Sequence, residues 1–456
     1  MATRSHTPAA RRFAAVSGDV LWRGDPGYRE AVGLWNSRAE VSPRAVVRPA
    51  GTADVGVAVR AAREAGLAIA VRGGGHHVSG SALCEDGMVL DMRRLGSVGM
   101  DRHSHTVTVG AGAVWYDVNA ATVRYGRAVP SGNAPSTGVA GVALGGGVGL
   151  FSRAWGLTCD RLVGLGLVDA EGEYRRVDRD SGADLFWVAR GAGRGIGVVT
   201  DLEFSTSPVT PEVATAQVFH PLESAREVLD GWCTAVADGP REVSPQLTIR
   251  RLPDAPALAA RIRGRWAVSV GAVHCGDPAD AGPVLEPYTR LGEPLLDLSG
   301  TYPFVEPVPP RRDGLRAYSC SFFLADLDPA IVRALLKAFD DTCPDGAYAT
   351  LRTLGGAVAD GEDRATAFAH RRARFLLTVQ AEWSGPEGDG PCVAWCEDLG
   401  RAVRDTGVLG IYGNFHAGTG DFRDLREQAY GDTARIDRIL ADHDPDGVFH
   451  EMAMRP

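Results

Sequence analysis

The chain of 456 residues contains no apolar run approaching the roughly 20 residues that a membrane helix needs, which excludes a helical membrane span. It has no excess of positive charge. A net charge of -9 and a pI near 5.7 argue against nucleic acid as the main partner. Cysteine is sparse: Cys84, Cys159, Cys233, Cys275, Cys320, Cys343, Cys392 and Cys396 are scattered along the length, which excludes a disulfide framework. Cys392 and Cys396 stand four apart on a predicted helix, a spacing that suits a metal. No further Cys or His lies close by in sequence, so they read as buried thiols, and no metal site is expected. Met1 to Arg12 has arginines but no apolar stretch behind them. It is expected to be a loose leader rather than a secretory signal, on a cytoplasmic protein. Repeats and long linkers are also missing. A hydrophobic fraction of 45% and a mean hydropathy of -0.09 describe a soluble globular chain, long enough for two domains.

What the chain does have is glycine, gathered in three segments of its N-terminal half. The first is Val71-Arg72-Gly73-Gly74-Gly75-His76-His77-Val78-Ser79-Gly80, which follows the apolar strand signal Leu67 to Val71. Bare backbone there either makes a tight turn with two solvated histidines or lets another molecule come close, its N–H groups converging on an anion. The second runs from Ser131 to Gly149 and includes Pro135, Thr137, Gly138, Gly141, Gly145, Gly146 and Gly147. The third is Arg190 to Gly197, just before a strand at Val198 to Phe204. Lying between strong strand signals, they are not flexible linkers. None fits the dinucleotide G-x-G-x-x-G unit or the phosphate-binding G-x-x-x-x-G-K-[ST] loop.

Short strands are predicted at Val46 to Pro49, Ala68 to Val71, Met88 to Asp91 and Thr106 to Val109. Between the first two, Thr52 to Gly66 has helical periodicity, with Thr52 or Asp54 as its cap and Gly66 as its stop. The triglycine turn therefore follows the second strand of a strand–helix–strand unit, where open α/β sheets place ligands. Tyr116 to Arg124 is a further helix. From about Pro208 glycine thins and prolines punctuate. Strands at Ala216 to Phe219, Leu247 to Arg251, Trp266 to Ala272 and Phe375 to Glu382 alternate with helices at Ser224 to Val236, Pro329 to Asp340 and Val393 to Arg404. This predicts an antiparallel sheet with helices on one face. Ser299 to Arg316, rich in proline, reads as a loop at a rim. Leu409 to Phe415 reads as a strand, and Thr433 to His443 as a helix leading to Asp444-Pro445.

In this order and spacing, several pieces resemble the berberine bridge enzyme-like flavin oxidases of the vanillyl-alcohol-oxidase, PCMH-type group. They are Arg72-Gly-Gly-Gly-His76, Leu144-Gly-Gly-Gly-x-Gly149, Trp155-Gly156-Leu157-x-x-Asp160, Asp184-Leu-Phe-Trp187 with Arg190-Gly191, Gly197-Val198-Val199-Thr200, Tyr412-x-Asn414 and Asp444-Pro445. The match runs from about Trp35 to the C-terminus and looks closest to actinobacterial members that tailor secondary metabolites. The resemblance implies an α+β chain with a bipartite FAD-binding domain, residues 1–207 and 406–456, and an inserted antiparallel-sheet substrate domain, residues 208–405. It implies FAD joined through its 8α-methyl carbon to His76 alone, since Ala134 stands where bicovalent relatives carry cysteine. His77 is then a supporting residue. Arg72, Gly73, Gly74, Gly75, His76, His77, Gly80, Pro135, Thr137, Gly138, Gly141, Gly145, Gly146, Gly147, Gly149, Asp160, Gly197, Val198, Val199, Tyr412 and Asn414 become the expected cofactor-binding residues.

The activity so implied is an oxidase that passes a hydride from a polycyclic or glycosylated natural product to flavin N5, and then electrons to O2, giving H2O2. Many relatives carry Tyr-x-Asn-Tyr. Here Phe415 ends the motif and cannot accept a proton. Tyr412 remains as a phenol that acts on the substrate or bonds to flavin or backbone. Gln380 and Glu382 share one face of a strand, Gln380 to polarise a substrate oxygen and Glu382 as base. His370 and Arg371 read as structural. A flavin-N5-oxide oxygenase acting on a polyketide and a non-catalytic flavin-binding protein are the alternatives. The expected partners are the small substrate and O2, with no nucleic acid and no membrane, on a monomer or homodimer.

Overall fold

The computed structural model describes residues 11–449 apart from 133, 311, 341, 362–364 and 418–421; the expected leader, but for Arg11 and Arg12, lies outside the described residues. Among the described residues the fold is built on three main sheets, beside a two-stranded pair of Arg127–Ala128 and Ser207–Pro208. The first runs in the spatial order Asp19–Trp22, Ala45–Arg48, Met88–Asp91, Ile69–Arg72, its last three strands parallel. The helix Thr52–Glu64 makes the crossover and buries Val55, Ala58, Val59 and Ala62. Neither Thr52 nor Asp54 caps it. Gly51 is the N-cap, while the Asp54 carboxylate accepts from the backbone N–H groups of Ser17, Gly18 and Ala50, stapling the N-terminal arm to the helix.

The second sheet is antiparallel, in the order Val98–Asp101, Thr106–Gly110, Val198–Ser205, Leu162–Val168, Tyr174–Asp178. Its Val107, Val109, Leu165, Leu202 and Phe204 join Val47, Met88 and Leu90 of the first sheet in one core. The C-terminus returns to this body. The Asp444 carboxylate accepts from Val448 and Phe449 N–H, and Ile69 N–H bonds to Val448 C=O at 3.0 Å beside a parallel Ile69–Phe449 bridge.

The large antiparallel sheet runs Leu296–Asp297, Glu212–Pro221, Trp266–His274, Val243–Arg251, Ala347–Thr353, Phe375–Ser384, Leu315–Leu324. Every second residue faces the helices: Val218, Ile249, Val270, Leu351 and Val379 pack with Leu229, Trp232, Leu335 and Leu399. Cys392 and Cys396 are buried thiols in that layer. The opposite face carries Gln217, Gln246, Ser319, Gln380 and Glu382, with Phe323 and Leu376 packed on Val148 and Tyr412, and it turns toward the glycine segments. Three expectations change. Ser299 to Arg316 is not all loop, since Gly300–Pro303 pairs with Glu212–Thr215 on the sheet edge and Leu315 begins a central strand. Leu315–Leu324 and Ala347–Thr353 are strands that periodicity did not mark. Leu409 to Phe415 is not a strand. Its pairing stops after the Phe323–Gly410 bridge because the Ser321 hydroxyl takes Tyr412 C=O at 2.8 Å, and Gly413–Phe415 then form a 3₁₀ turn.

Asn36 clamps the two bodies together. It is 1% exposed; its Nδ2 donates to Val78 O and Ala317 O, and its Oδ1 accepts from Ala317 N. Removing it leaves buried backbone groups unpaired, so Asn36→Ala is expected to cost about 2–4 kcal/mol in urea denaturation. A loss below about 0.5 kcal/mol, typical of surface substitutions, would show the clamp to be dispensable.

Candidate active site

The strand Ile69–Arg72 ends in a buried arginine whose guanidinium donates to Ala31 and Gly33 carbonyls, so Arg72 anchors the turn to the protein. The glycines beyond it serve mostly chain-to-chain contact. A Cβ on Gly74 would lie 2.4 Å from Gly138 N, and one on Gly138 would lie 2.3 Å from Gly74 N. The first and second glycine segments therefore touch backbone to backbone. Of the other expected cofactor glycines, Gly80 abuts Ala39, Gly145 the Asn414 amide, Gly146 the Phe368 ring, Gly147 Thr158 and Gly149 the Ser131 carbonyl. Of the expected cofactor glycines, only Gly141 has nothing within 4 Å of where a Cβ would be.

His76 leaves the turn stacked on Trp35, ring centroids 5.7 Å apart. Burial, and secondarily the Arg72 charge, lower its pKa to about 4, so the imidazole is neutral near pH 7. Neighbouring His77 is tied down at both nitrogens, Nδ1 to the Ser79 hydroxyl at 2.7 Å and Nε2 to Gly413 O at 2.8 Å. A carbonyl only accepts, so the proton is assigned to Nε2. Burial, and then the Arg194 charge, lower the His77 pKa to about 3.

The Tyr412 phenol is 2% exposed, and its oxygen accepts from Gly147 N, Val148 N and Asn414 Nδ2 at 3.0–3.1 Å. Burial raises its pKa above the usual value of 10.0. These contacts tie the phenol to the Gly145–Gly149 turn, the backbone-bonding alternative expected for Tyr412. Asn414 reaches Val142 O with the same amide, and its oxygen accepts from Arg194 at 3.2 Å.

The polar sheet face meets this cluster at Phe415. Ser319 Oγ donates to Phe415 O at 2.6 Å, and the Arg352 guanidinium lies over the Phe415 ring at 5.2 Å. On that face Glu382 Oε1 accepts from Tyr348 Oη and Gln380 Nε2, both at 3.0 Å, and Oε2 pairs with Arg312 at 3.0 Å. Burial, with the Glu382 carboxylate beside it, pushes the Tyr348 phenol well above its usual pKa. Gln246, paired in register with Arg352, lines a cleft of about 390 Å³ with Gln217, Asn119, Trp115, Phe151 and Phe304.

Several expected residues stand outside this cluster. Asp160 forms a bidentate ion pair with buried Arg371 and accepts from Leu157 N, which is an architectural role. Val198 and Val199 are paired within the second sheet, and Gly197 packs on Val168 O. Conversely, Arg194, Tyr348, Arg352 and Trp35 join the site although sequence reasoning passed over them. Only Arg194 left a signal there, a cation inside a run of glycines.

A flavin fits these residues in two respects. The His76 imidazole is neutral and has no hydrogen-bond partner among the described residues, and Arg194 Nη1 is buried without one.

Buried neutral histidines make stability depend on pH. His77 and His416, at about 3 and about 4 in the folded protein, rise to about 6.5 on unfolding. The unfolded state then binds more protons, so stability falls as pH drops below about 6.5 and levels off below the folded values. Denaturation near pH 5 is expected to take up close to two protons from this pair, and His77→Gln to remove about one. Identical pH–stability slopes in the two proteins would contradict this.

Residues 43–178 match the family model described as FAD binding domain. An FAD-linked oxidoreductase of Dictyostelium discoideum is 28% identical over 449 residues, covering 95% of this chain and 94% of the relative. The BBE-like 1 protein of Physcomitrella patens superposes with a TM-score of 0.88 at 22% identity, over 99% of both chains. Glucooligosaccharide oxidase from Acremonium strictum, described with a 6-S-cysteinyl, 8α-N1-histidyl FAD, superposes with a TM-score of 0.85 at 22% identity over 99% of both chains. Read with the glycine turns and the polar sheet above them, these likenesses make the chain an FAD-dependent oxidoreductase, with an FAD binding domain over residues 43–178 and the fold of the berberine bridge enzyme-like proteins.

Proposed function

We propose that this protein is an oxidase carrying FAD on His76 through a single 8α-histidyl bond, acting on a cyclic, hydroxyl-bearing natural product, polycyclic or glycosylated. The observation that carries the reading is the His76 imidazole, neutral at pH 7 and without a hydrogen-bond partner among the described residues at the end of the glycine turn. A neutral imidazole is the nucleophilic form. The histidyl FAD of glucooligosaccharide oxidase supports the same chemistry. Ala134 has no thiol for a second bond. When bound, the flavin supplies the two-electron acceptor, taking a hydride at N5 and passing electrons to O2 to give H2O2.

The chain's own residues orient and deprotonate. Residues 1–207 with 406–456 form the flavin unit, and 208–405 the substrate unit. The cleft between them offers the Phe151 and Phe304 rings to a planar or pyranose ring, with the Gln217, Gln246 and Asn119 amides for its hydroxyls. Glu382 is the proton acceptor, poised by Tyr348 and Gln380, and the Gln380 amide also polarises the substrate oxygen. The resting Arg312 contact does not block this role, because the arginine side chain is 64% exposed and free to swing away.

Protein precipitated with acid is expected to stay yellow, and His76→Ala to release all its flavin into the supernatant. Quantitative release from the wild type would remove the covalent assignment. Glu382→Gln is expected to slow anaerobic flavin reduction by about 10²–10⁴-fold, the usual worth of a general base. Tyr412→Phe should instead lower thermal stability and leave the pH profile of reduction in place. A wild-type reduction rate in Glu382→Gln would exclude that residue as base.

A further inference from the structure

Arg194 is a cation in search of an anion. It interrupts the third glycine segment, and its Nη2 reaches Asn414 Oδ1 at 3.2 Å and Gly413 O at 3.4 Å. Its Nη1 is buried with no partner, and no carboxylate among the described residues forms an ion pair with it. A buried guanidinium N–H left without an acceptor is rare in a folded protein, so this one points to a partner that arrives from outside the chain. Its position narrows the choice. Gly413 O, which Arg194 approaches, is also held by His77 Nε2 at 2.8 Å, and His77 follows His76 directly. Arg194 also lines a narrow cavity with Gly145, Gly191, Tyr412 and Asn414, where the second and third glycine segments meet the C-terminal turn.

We propose that Arg194 is the fixed counter-charge of the flavin ring, set to stabilise the negative charge that the isoalloxazine N1–C2=O edge takes up on two-electron reduction. This rests on the reading that the cofactor is held at His76. A guanidinium fixed in a medium of low polarity acts on that charge far more strongly than one in water. A charge placed near the ring is one of the ways a protein tunes flavin electronics. The cofactor's other anion, its diphosphate, has the same charge complementarity but takes no part in reduction, and an experiment separates the two. Arg194 is accordingly a positioning and tuning residue rather than a catalytic one.

The test compares the flavin-loaded wild type with Arg194→Met and Arg194→Lys. Three quantities are measured: bound flavin, the midpoint potential by dye equilibration, and the Kd for sulfite, which adds at N5 and puts negative charge into the ring. Arg194→Met is expected to load flavin as the wild type does, with a lower potential and a sulfite Kd raised at least tenfold. Arg194→Lys should keep most of both. Unchanged potential and sulfite affinity at equal flavin content would overturn the proposal. So would lost flavin content with an unchanged potential in what remains, which would assign Arg194 to the diphosphate. Arg194→Gln, which keeps donors but no charge, carries the same expectations should the methionine variant fail to fold. Acid-released flavin in the wild type would sink the His76 tether, yet potential and sulfite affinity remain readable on dissociable FAD.

Discussion

Contact between two bare backbones sets the geometry of the site. Gly74 and Gly138 approach so closely that a Cβ on either would collide with the other's amide nitrogen. Gly74 stands just ahead of His76, and Gly138 is the N-cap of the helix Val139–Leu144, which runs into the Gly145–Gly149 turn. The contact therefore fixes where the imidazole leaves one turn relative to the amides of the next. Arg72 pins the first turn from below through Ala31 and Gly33, and Tyr412 pins the second through Gly147 and Val148. Packed turns of this kind do not deform gradually, so a shift in one displaces the others.

The third body is held to this frame by an apolar cluster, in which Phe323 and Leu376 of the large sheet pack with Val148, Leu157 and Tyr412, and by buried polar groups. Asn36 bridges Val78 and Ala317, Arg371 joins Asp160, and Ser319 and Ser321 take backbone groups of the Tyr412–Phe415 turn. A buried polar link costs little when fully satisfied and much when broken, so these clamps fix register between parts that apolar packing alone would let slide. The large sheet in this way keeps a polar face over the glycine turns while its other face supplies the hydrophobic core under the helices.

The electrostatics of the site run against those of the whole. The chain carries a net charge of -9, yet its centre holds Arg194 and Arg352, both without an acidic partner among the described residues, and neutral histidines at 76, 77 and 416. Desolvation suppresses protonation of the imidazoles, whereas a guanidinium is a lasting cation in proteins. The result is a fixed positive field around a neutral nucleophile, suited to an anionic, redox-active guest.

Much of this was legible in the chain. The three parallel strands of the first sheet fall within a residue or two of where apolar runs place them, although Asp19–Trp22 was not foreseen, and the helix at Thr433–His443 has the predicted bounds. The strands Leu315–Leu324 and Ala347–Thr353 were not visible, the first because it follows a proline-rich stretch, the second because small residues alternate in it with polar ones. By itself the sequence determined the glycine turns, the histidine that follows the first of them, and the alternation that splits the large sheet into an apolar and a polar face. All of these depend on backbone freedom and periodicity, which neighbouring residues encode. Only the tertiary structure decided that Gly74 faces Gly138, that Tyr412 is a strut, and that Arg194 lacks a counter-charge. Those facts concern which distant atoms meet, and no local pattern carries that information.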